Sequence, residues 1–455
     1  MKKIITILLF ITAVTAAKSQ VNLLRYNDNF SYLKADSVSK KGSEKLKYIP
    51  LSSRSSISFG GEIREQLQYY RNINFGDVPR TFTTVTTWQL WHRVMLHSNI
   101  EAGKRFRVFT QLESTHRFIN PNPLTPEIDQ NNLGLHQLFA DLQFNSNWMI
   151  RAGRQELSYG NHRILTFREG PNTRLAFDGA IIKFTDGKHK LDIMVLSPVI
   201  SKEGVFDDEA FKDRITGVYG TEKTKSNVTG FDYYFLNYAA KRRQYNFTGG
   251  KENRQVIGLR FFSDKPLASY ELEGTYQFGK FNNLRINAYS IAADISYKVI
   301  ARKNMLAGIA GNYVTGDRNS EDGQLNTYNL LFSRPQYGLT APIGATNIIA
   351  IVPYIKINPV KKSNLYTAAN FMWRQSSQDG TYSPGAIEMR PSPQWVFVSG
   401  KKRIGTLLIM EFNYFMNNHF SFASDASYFL AGNYVKTTGK GKNIAYLSFK
   451  ASYKF

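Results

Sequence analysis

The sequence predicts an all-β chain: a transmembrane, antiparallel, up-and-down β-barrel of about eighteen strands. Three observations predict it. The last twelve residues alternate strictly, with Ala445, Leu447, Phe449, Ala451, Tyr453 and Phe455 on one side and Tyr446, Ser448, Lys450, Ser452 and Lys454 on the other, because side chains alternate faces along a strand. Short two-faced segments of the same kind recur along the whole chain. Their connections alternate between short turns and long polar loops, the asymmetry of a bacterial barrel. For the closing segment alone, the alternative is an amphipathic edge strand of a soluble sandwich.

The bulk composition agrees. Aromatics make up 14% of the 455 residues, and 26 are Tyr, a residue suited to membrane–water girdles. Mean hydropathy is −0.35, and no apolar run of 18 residues exists, so no helix is expected to span a bilayer. A barrel hides its hydrophobicity in alternation.

In chain order, Lys2 and Lys3 precede an apolar stretch from Ile4 to Ala17, which reads as a secretory signal peptide over 1–19, cleaved after Ala17 or Ser19. With no cysteine, disulfides, a lipoprotein anchor and thiolate chemistry are excluded. Residues 20–55 mix Asp, Lys and Ser without period and are assigned as a periplasmic lead-in; the barrel is assigned to 56–455. Formal net charge is +23 and falls to +20 once Lys2, Lys3 and Lys18 leave with the signal. That excess calls for a polyanionic partner, lipopolysaccharide or an acidic polysaccharide; export and the lack of any recognition motif argue against nucleic acid.

Strands are predicted at 57–70, 90–101, 105–114, 137–144, 148–157, 174–184, 190–198, 212–221, 231–239, 253–263, 269–279, 285–299, 304–315, 347–357, 363–374, 403–415, 419–430 and 444–455. The even count returns the last strand to the periplasmic side. The segment 212–221 and the outer connection near 280–284 carry the weakest patterns. Long loops are expected at 71–85, 117–133, 159–173, 199–211, 316–346 and 375–402.

One face of these strands is rich in Arg, Gln, Asn, Glu and Asp. In a membrane barrel that face turns inward, because Arg facing lipid costs roughly 2–4 kcal/mol at midplane. The expected lumen is therefore lined by Arg64, Arg93, Arg105, Arg107, Arg154, Arg168, Arg174, Arg260 and Arg374, oriented by Glu113, Glu156, Asp178 and Glu273. Arg presents a planar fork of donors that matches carboxylates, and conduction needs binding strong enough to admit a solute and weak enough to release it. The structural alternative is an ion-pair network that stiffens the wall. The densest stretch runs Arg151-Ala152-Gly153-Arg154-Gln155-Glu156, then Arg163, Arg168 and Arg174. The alternation slips near Gly153, so one of Arg151 and Arg154 points inward, or a bulge permits both. Replacing Arg154 and Arg174 by Ala is expected to weaken anion preference while the barrel still folds.

The chain resembles the alginate export family of outer-membrane porins. The resemblance rests on Gly153-Arg154-Gln155-Glu156-Leu157 with Tyr159-Gly160, then Arg168-Glu169-Gly170-Pro171-Asn172, Arg174 and Phe177-Asp178-Gly179. Looser matches are Gly316-Asp317-Arg318, Asp322-Gly323, Thr327-Tyr328-Asn329, Leu331-Phe332, Tyr337-Gly338 and Asn347, and Phe371, Trp373-Arg374, Asp379 and Tyr382. It spans roughly 60–455 and implies a monomeric eighteen-stranded barrel with an electropositive lumen, loops folded over or into the pore, and an anionic polyuronate as solute. Thr315 and Tyr328 depart mildly from the family's expected Ser and Phe.

The expected function is an outer-membrane porin of a Gram-negative bacterium, anion-selective, passing anionic polysaccharide or uronate-type solutes. The alternatives are a general anion or nutrient uptake porin and a plugged barrel serving as a surface-binding scaffold. No cofactor is called for; periplasmic export partners are left open. Asp317, Asn319, Glu321 and Asp322 form an acidic cluster considered for Ca²⁺, with the glycine misplaced for an EF-hand loop; a solvated loop is the simpler reading. The tip Gly439-Lys440-Gly441-Lys442 is a candidate for lipopolysaccharide phosphates. No Gly-x-Ser-x-Gly or His-Glu-x-x-His motif is present and the seven His are scattered, so no enzyme is expected.

Overall fold

A computed structural model describes residues 22–34, 42–77, 86–118, 129–225, 228–245, 248–300, 304–334, 338, 343–385, 388–390 and 400–455. The signal peptide 1–19 and Tyr337 of the family-like stretches lie outside them.

Eighteen antiparallel strands close into one barrel. They are β1 Ser55–Arg71, β2 Thr86–Ala102, β3 Phe106–Phe118, β4 Asn131–Gln143, β5 Trp148–Gln155, β6 Phe177–Thr185, β7 His189–Pro198, β8 Asp213–Lys223 and β9 Thr229–Tyr245. The second half is β10 Thr248–Asp264, β11 Ala268–Phe281, β12 Leu284–Ile300, β13 Met305–Val314, β14 Ile348–Ile357, β15 Ser363–Trp373, β16 Arg403–Phe415, β17 Phe420–Ala431 and β18 Ile444–Lys454. Each pairs with its sequence neighbour, and β1 pairs with β18 from Glu62↔Lys454 to Arg71↔Ala445. Closure satisfies every strand's backbone groups inside the wall, which the bilayer requires. All eighteen expected segments form, including the weakly patterned one, seen as Asp213–Lys223. The outer connection near 280–284 is a two-residue turn in which Asn282 takes φ +49°, a conformation Asn tolerates.

The alternation reads out as predicted at the seam. Glu62, Arg64, Gln66 and Gln68 of β1 are buried inside, while Ile63 is exposed on the outer surface. Outward residues such as Leu96, Leu138, Ile257, Leu259, Ile291, Ile309, Leu408 and Phe449 are likewise exposed and form the lipid-facing band.

Long loops fold inward and fill part of the barrel. Leu157, Ile164 and Leu165 from residues 156–176 pack on Ile181, Met194, Leu196, Ile215, Leu236 and Val256 of the inner wall. Each fully buried aliphatic side chain of this kind contributes roughly 1.5–3 kcal/mol. The inner face thus carries an apolar patch across β6 to β10, where the loop covers it, set among inward polar residues. The outer loops form a second cluster: Phe75, Tyr328, Leu330, Ile343, Tyr434 and Val435 pack on Ile348, Leu407, Phe429 and Ile444. Tyr434 and Val435 lie on α1, the single helical turn Asn433–Thr437.

The N-terminal segment enters from the opposite end. Tyr26 packs edge-on against Phe109 and Phe139 of the inner wall, 6.1 and 5.4 Å between ring centroids. Arg25 donates to the carbonyls of Gly61 (2.8 Å) and Phe455 (2.9 Å), bridging the β1–β18 seam.

Candidate functional site

The inward-folded loop is held by charge as well as by apolar packing. Arg64 of β1 donates to the Glu169 and Pro171 carbonyls, both 3.3 Å, and to Asn172 Oδ1 at 3.0 Å. Arg93 of β2 reaches Glu62 at 2.7 Å and Glu169 at 2.8 Å. Arg174 donates to Glu169 through Nε at 2.5 Å and lies 3.4 Å from Glu156. One carboxylate, Glu169, therefore serves three guanidinium groups. Burial alone would raise the Glu169 carboxyl, but Arg174, Arg93 and Arg64 together hold it well below the usual carboxylate range. Asn172 completes the clamp, donating to the carbonyls of His92, His116 and Asp129 at 3.1–3.2 Å.

A second group lies beside it. His136 bridges Glu113 and Glu156 at 2.8 Å each. Arg107 and Arg151 both pair with Asp141; Arg107 also donates to the Tyr26 carbonyl at 2.7 Å, and Arg151 lies over the Tyr26 ring at 4.4 Å. A third group crosses the lumen. Arg163 of the loop reaches Glu271 and Glu273 of β11 at 3.5 and 3.4 Å and Asn312 of β13 at 3.0 Å. Arg260 of β10 takes Glu271 in a fork (2.9 and 2.7 Å) and Asp232 at 2.7 Å. Arg168 donates to the carbonyls of Ser333 (2.8 Å) and Leu331 (3.2 Å), tying the loop to residues 315–347.

Four expectations are corrected. Arg105 sits exposed in the β2–β3 turn, outside the lumen, because the strand starts one residue later, at Phe106. Arg154 and Asp178 face away from the lumen. Arg154 stands opposite Leu138, a lipid-facing residue, while Arg151 stands opposite the inward Asp141, and no bulge interrupts the register. Gly153 keeps the strand continuous at φ +125°, where an added Cβ would collide with the Leu138 carbonyl. Arg154 and Asp178 pair at 2.7 and 2.9 Å with Asp208 of the loop 199–212 at 3.8 Å; that loop runs along β4 through the Leu133–Val205 bridge. Arg374 anchors loops: it donates to the carbonyls of Asp379 (2.8 Å) and Lys401 (2.6 Å) and lies over the Tyr434 ring at 3.8 Å. The proposed Ca²⁺ ligands do not converge. Asp317 is buried and accepts from the Asn326 N–H, whereas Asn319, Glu321 and Asp322 are exposed, and Asn319 and Asp322 cap local turns. No group of three such residues is placed to hold a metal among the described residues.

Open space remains on the other side. A cavity of about 210 Å³ lies between Glu169, Gly170 and Gly338 and the wall of Ile409, Glu411, Asn413, Asp425, Tyr446 and Lys450. A second, about 270 Å³, adjoins it across Glu169, Gly170 and Gly338 and reaches His162, Phe167, Arg334 and Leu23. Sequence reasoning passed over Glu411 and Asp425, although Glu411 between Met410 and Phe412 is the alternation signal that marks an inward charge. It also passed over Arg25 and Tyr26, for which no periodic signal exists.

The sequence pattern of the alginate export family matches residues 55–446. The chain belongs to that family. Solved structures agree on the fold of an outer-membrane porin. A BenF-like porin from Pseudomonas fluorescens Pf-5 superposes with a TM-score of 0.59 at 10% identity, over 88% of this chain and 98% of that one. OccK8 (OprE) of Pseudomonas aeruginosa gives 0.57 at 11% identity, over the same shares. OccK2 (OpdF) of Pseudomonas aeruginosa, solved in complex with glucuronate, gives 0.56 at 10% identity, again over 88% and 98%. No curated protein matches the sequence. This alginate export family member is an outer-membrane β-barrel of the porin type.

Proposed function

We propose that this protein is a porin, a transport protein rather than an enzyme, that passes anionic saccharides or uronate-type solutes across the outer membrane of a Gram-negative bacterium. The observation that carries the reading is a barrel lumen narrowed by an infolded loop, with two adjoining cavities among the described residues, beside a wall holding the inward guanidinium groups of Arg64, Arg93, Arg107, Arg151, Arg254 and Arg260. Most of these groups are matched by carboxylates. Their first effect is to fix a narrow passage, and the chain's excess of cations raises the local concentration of anions. Family membership and the glucuronate complex of OccK2 support a sugar acid as the solute class.

Single-channel conductance in a planar bilayer, with a salt gradient and added oligouronates, tests this reading. The expected result is anion-selective current blocked by uronates and not by neutral sugars of equal size. Anion current indifferent to uronates would leave a general anion porin. No current from folded barrels would favour the plugged scaffold, for which the packing of Tyr26 on the inner wall is the relevant observation.

A further inference from the structure

The open side of the lumen has a different chemistry from the filled side. Strands β14 to β18 carry no inward arginine. Their inner face instead aligns Lys356, Tyr366, Glu411, Asp425 and Ser448, each directly opposite the next in register. Lys450 follows Ser448 on the same face, one pleat further along β18. Across the cavities stands Arg334, exposed, on the loop side. Glu411 lies within electrostatic reach of Asp425, Arg334, Lys450 and Lys356.

These charges differ from the buried arginines in one respect. Among the described residues, Glu411, Asp425, Lys450 and Arg334 join no ion pair, whereas Arg64, Arg93, Arg174 and Arg260 are each committed to carboxylates. Asp425 accepts only a neutral donor, Ser448 Oγ at 3.0 Å. Charges that face open space unpaired are the ones a passing solute meets.

We propose that this row is where the lumen reads its solute: Glu411 and Asp425 accept hydroxyl hydrogens of a sugar acid while Lys450 and Arg334 take its carboxylate. Two carboxyl groups side by side crowd their acceptor oxygens, and hydroxyl donors satisfy them while cations opposite hold the solute's own charge. A neutral sugar satisfies only the acidic half and a simple anion only the basic half. The 210 Å³ cavity is on the scale of one sugar ring. The arginine network is then scaffolding, and this row sets specificity. The inference rests on the anionic-saccharide reading above and assigns its recognition to residues that reading does not use.

The experiment uses the full refolded chain in a planar bilayer, with glucuronate and glucose as probes and potassium chloride gradients for reversal potential. Wild type is expected to be blocked by glucuronate in preference to glucose. Glu411→Gln combined with Asp425→Asn is expected to weaken glucuronate block about tenfold, the scale of one lost charge-assisted hydrogen bond. Lys450→Gln combined with Arg334→Gln is expected to weaken it similarly and to move the reversal potential toward cation preference. Glucuronate block that persists unchanged in both variants would overturn the assignment while leaving the solute class standing. Wild-type current indifferent to glucuronate would remove the solute class. Reversal potential unchanged in the Lys450/Arg334 variant would overturn the row as the selective station whatever the solute. Retained heat-modifiable migration on gels shows that each variant is folded.

Discussion

Glu169 concentrates more of this protein's inner electrostatics than any arginine around it. Its carboxylate meets Arg64, Arg93 and Arg174, and removing it leaves three guanidinium groups, themselves buried, without their shared counter-charge. Glu169→Ala is therefore expected to release the loop 156–176 from the wall, seen as a severalfold rise in single-channel conductance from a barrel that still folds. Arg154→Ala, on the outer face, is expected to leave conductance and ion preference unchanged. Equal conductance in both variants would mean that the apolar anchors Leu157, Ile164 and Leu165 hold the loop without help. The two arginines expected to act together, Arg154 and Arg174, thus separate: only Arg174 faces the interior.

Among the elements, the outer loops 315–347 and 374–402 are joined by buried polar contacts. Asn347, at φ +50°, donates to the carbonyls of Ser376, Asp379 and Gly380 at 2.9–3.0 Å, and Asp379 accepts from the Asp317 N–H at 2.7 Å and from the Thr327 hydroxyl at 2.6 Å. Burial, aided by the neighbouring Asp379 carboxyl, pushes Asp317 up to about 6, and burial raises Asp379 as well. A carboxyl raised above its unfolded value of about 3.9 binds more protons when folded. The stability it lends is full below pH 4 and falls as pH climbs toward 6. Loop docking is therefore expected to be tighter at pH 4.5 than at pH 7.5, measured as fewer current fluctuations at the lower pH. Asp317→Asn is expected to flatten that dependence; an unaltered pH profile in the variant would reject Asp317 as its source.

For the whole molecule, the decisive joint is the β1–β18 seam, because an open barrel leaves two strand edges in lipid. Arg25 donates to a carbonyl on each side of it, Gly61 and Phe455. Gly61 and Phe455 also exchange both backbone hydrogen bonds, at 2.9 and 3.0 Å. Arg25→Ala is expected to lower the temperature at which the barrel opens on a heat-modifiability gel, with little change in conductance. An unshifted transition would confine Arg25 to holding Tyr26 against Phe109 and Phe139.

The sequence by itself determined the class of fold, the eighteen strands, the inward and outward sides of nearly every one, and the family. It could do so because a strand's two faces meet different solvents, and that difference is written locally, every second residue. Only the tertiary structure decided which inward arginines are spent on ion pairs and which side of the lumen stays open. Those outcomes depend on partners far apart in the chain: Arg64 and Glu169 are separated by 105 residues, Arg25 and Phe455 by 430. A loop has no period to announce where it folds. The Phe177-Asp178-Gly179 block shows the boundary well: read from the sequence, Asp178 belongs to the lumen, whereas the register that sets it beside Arg154, opposite Leu138, turns it outward toward the loop 199–212.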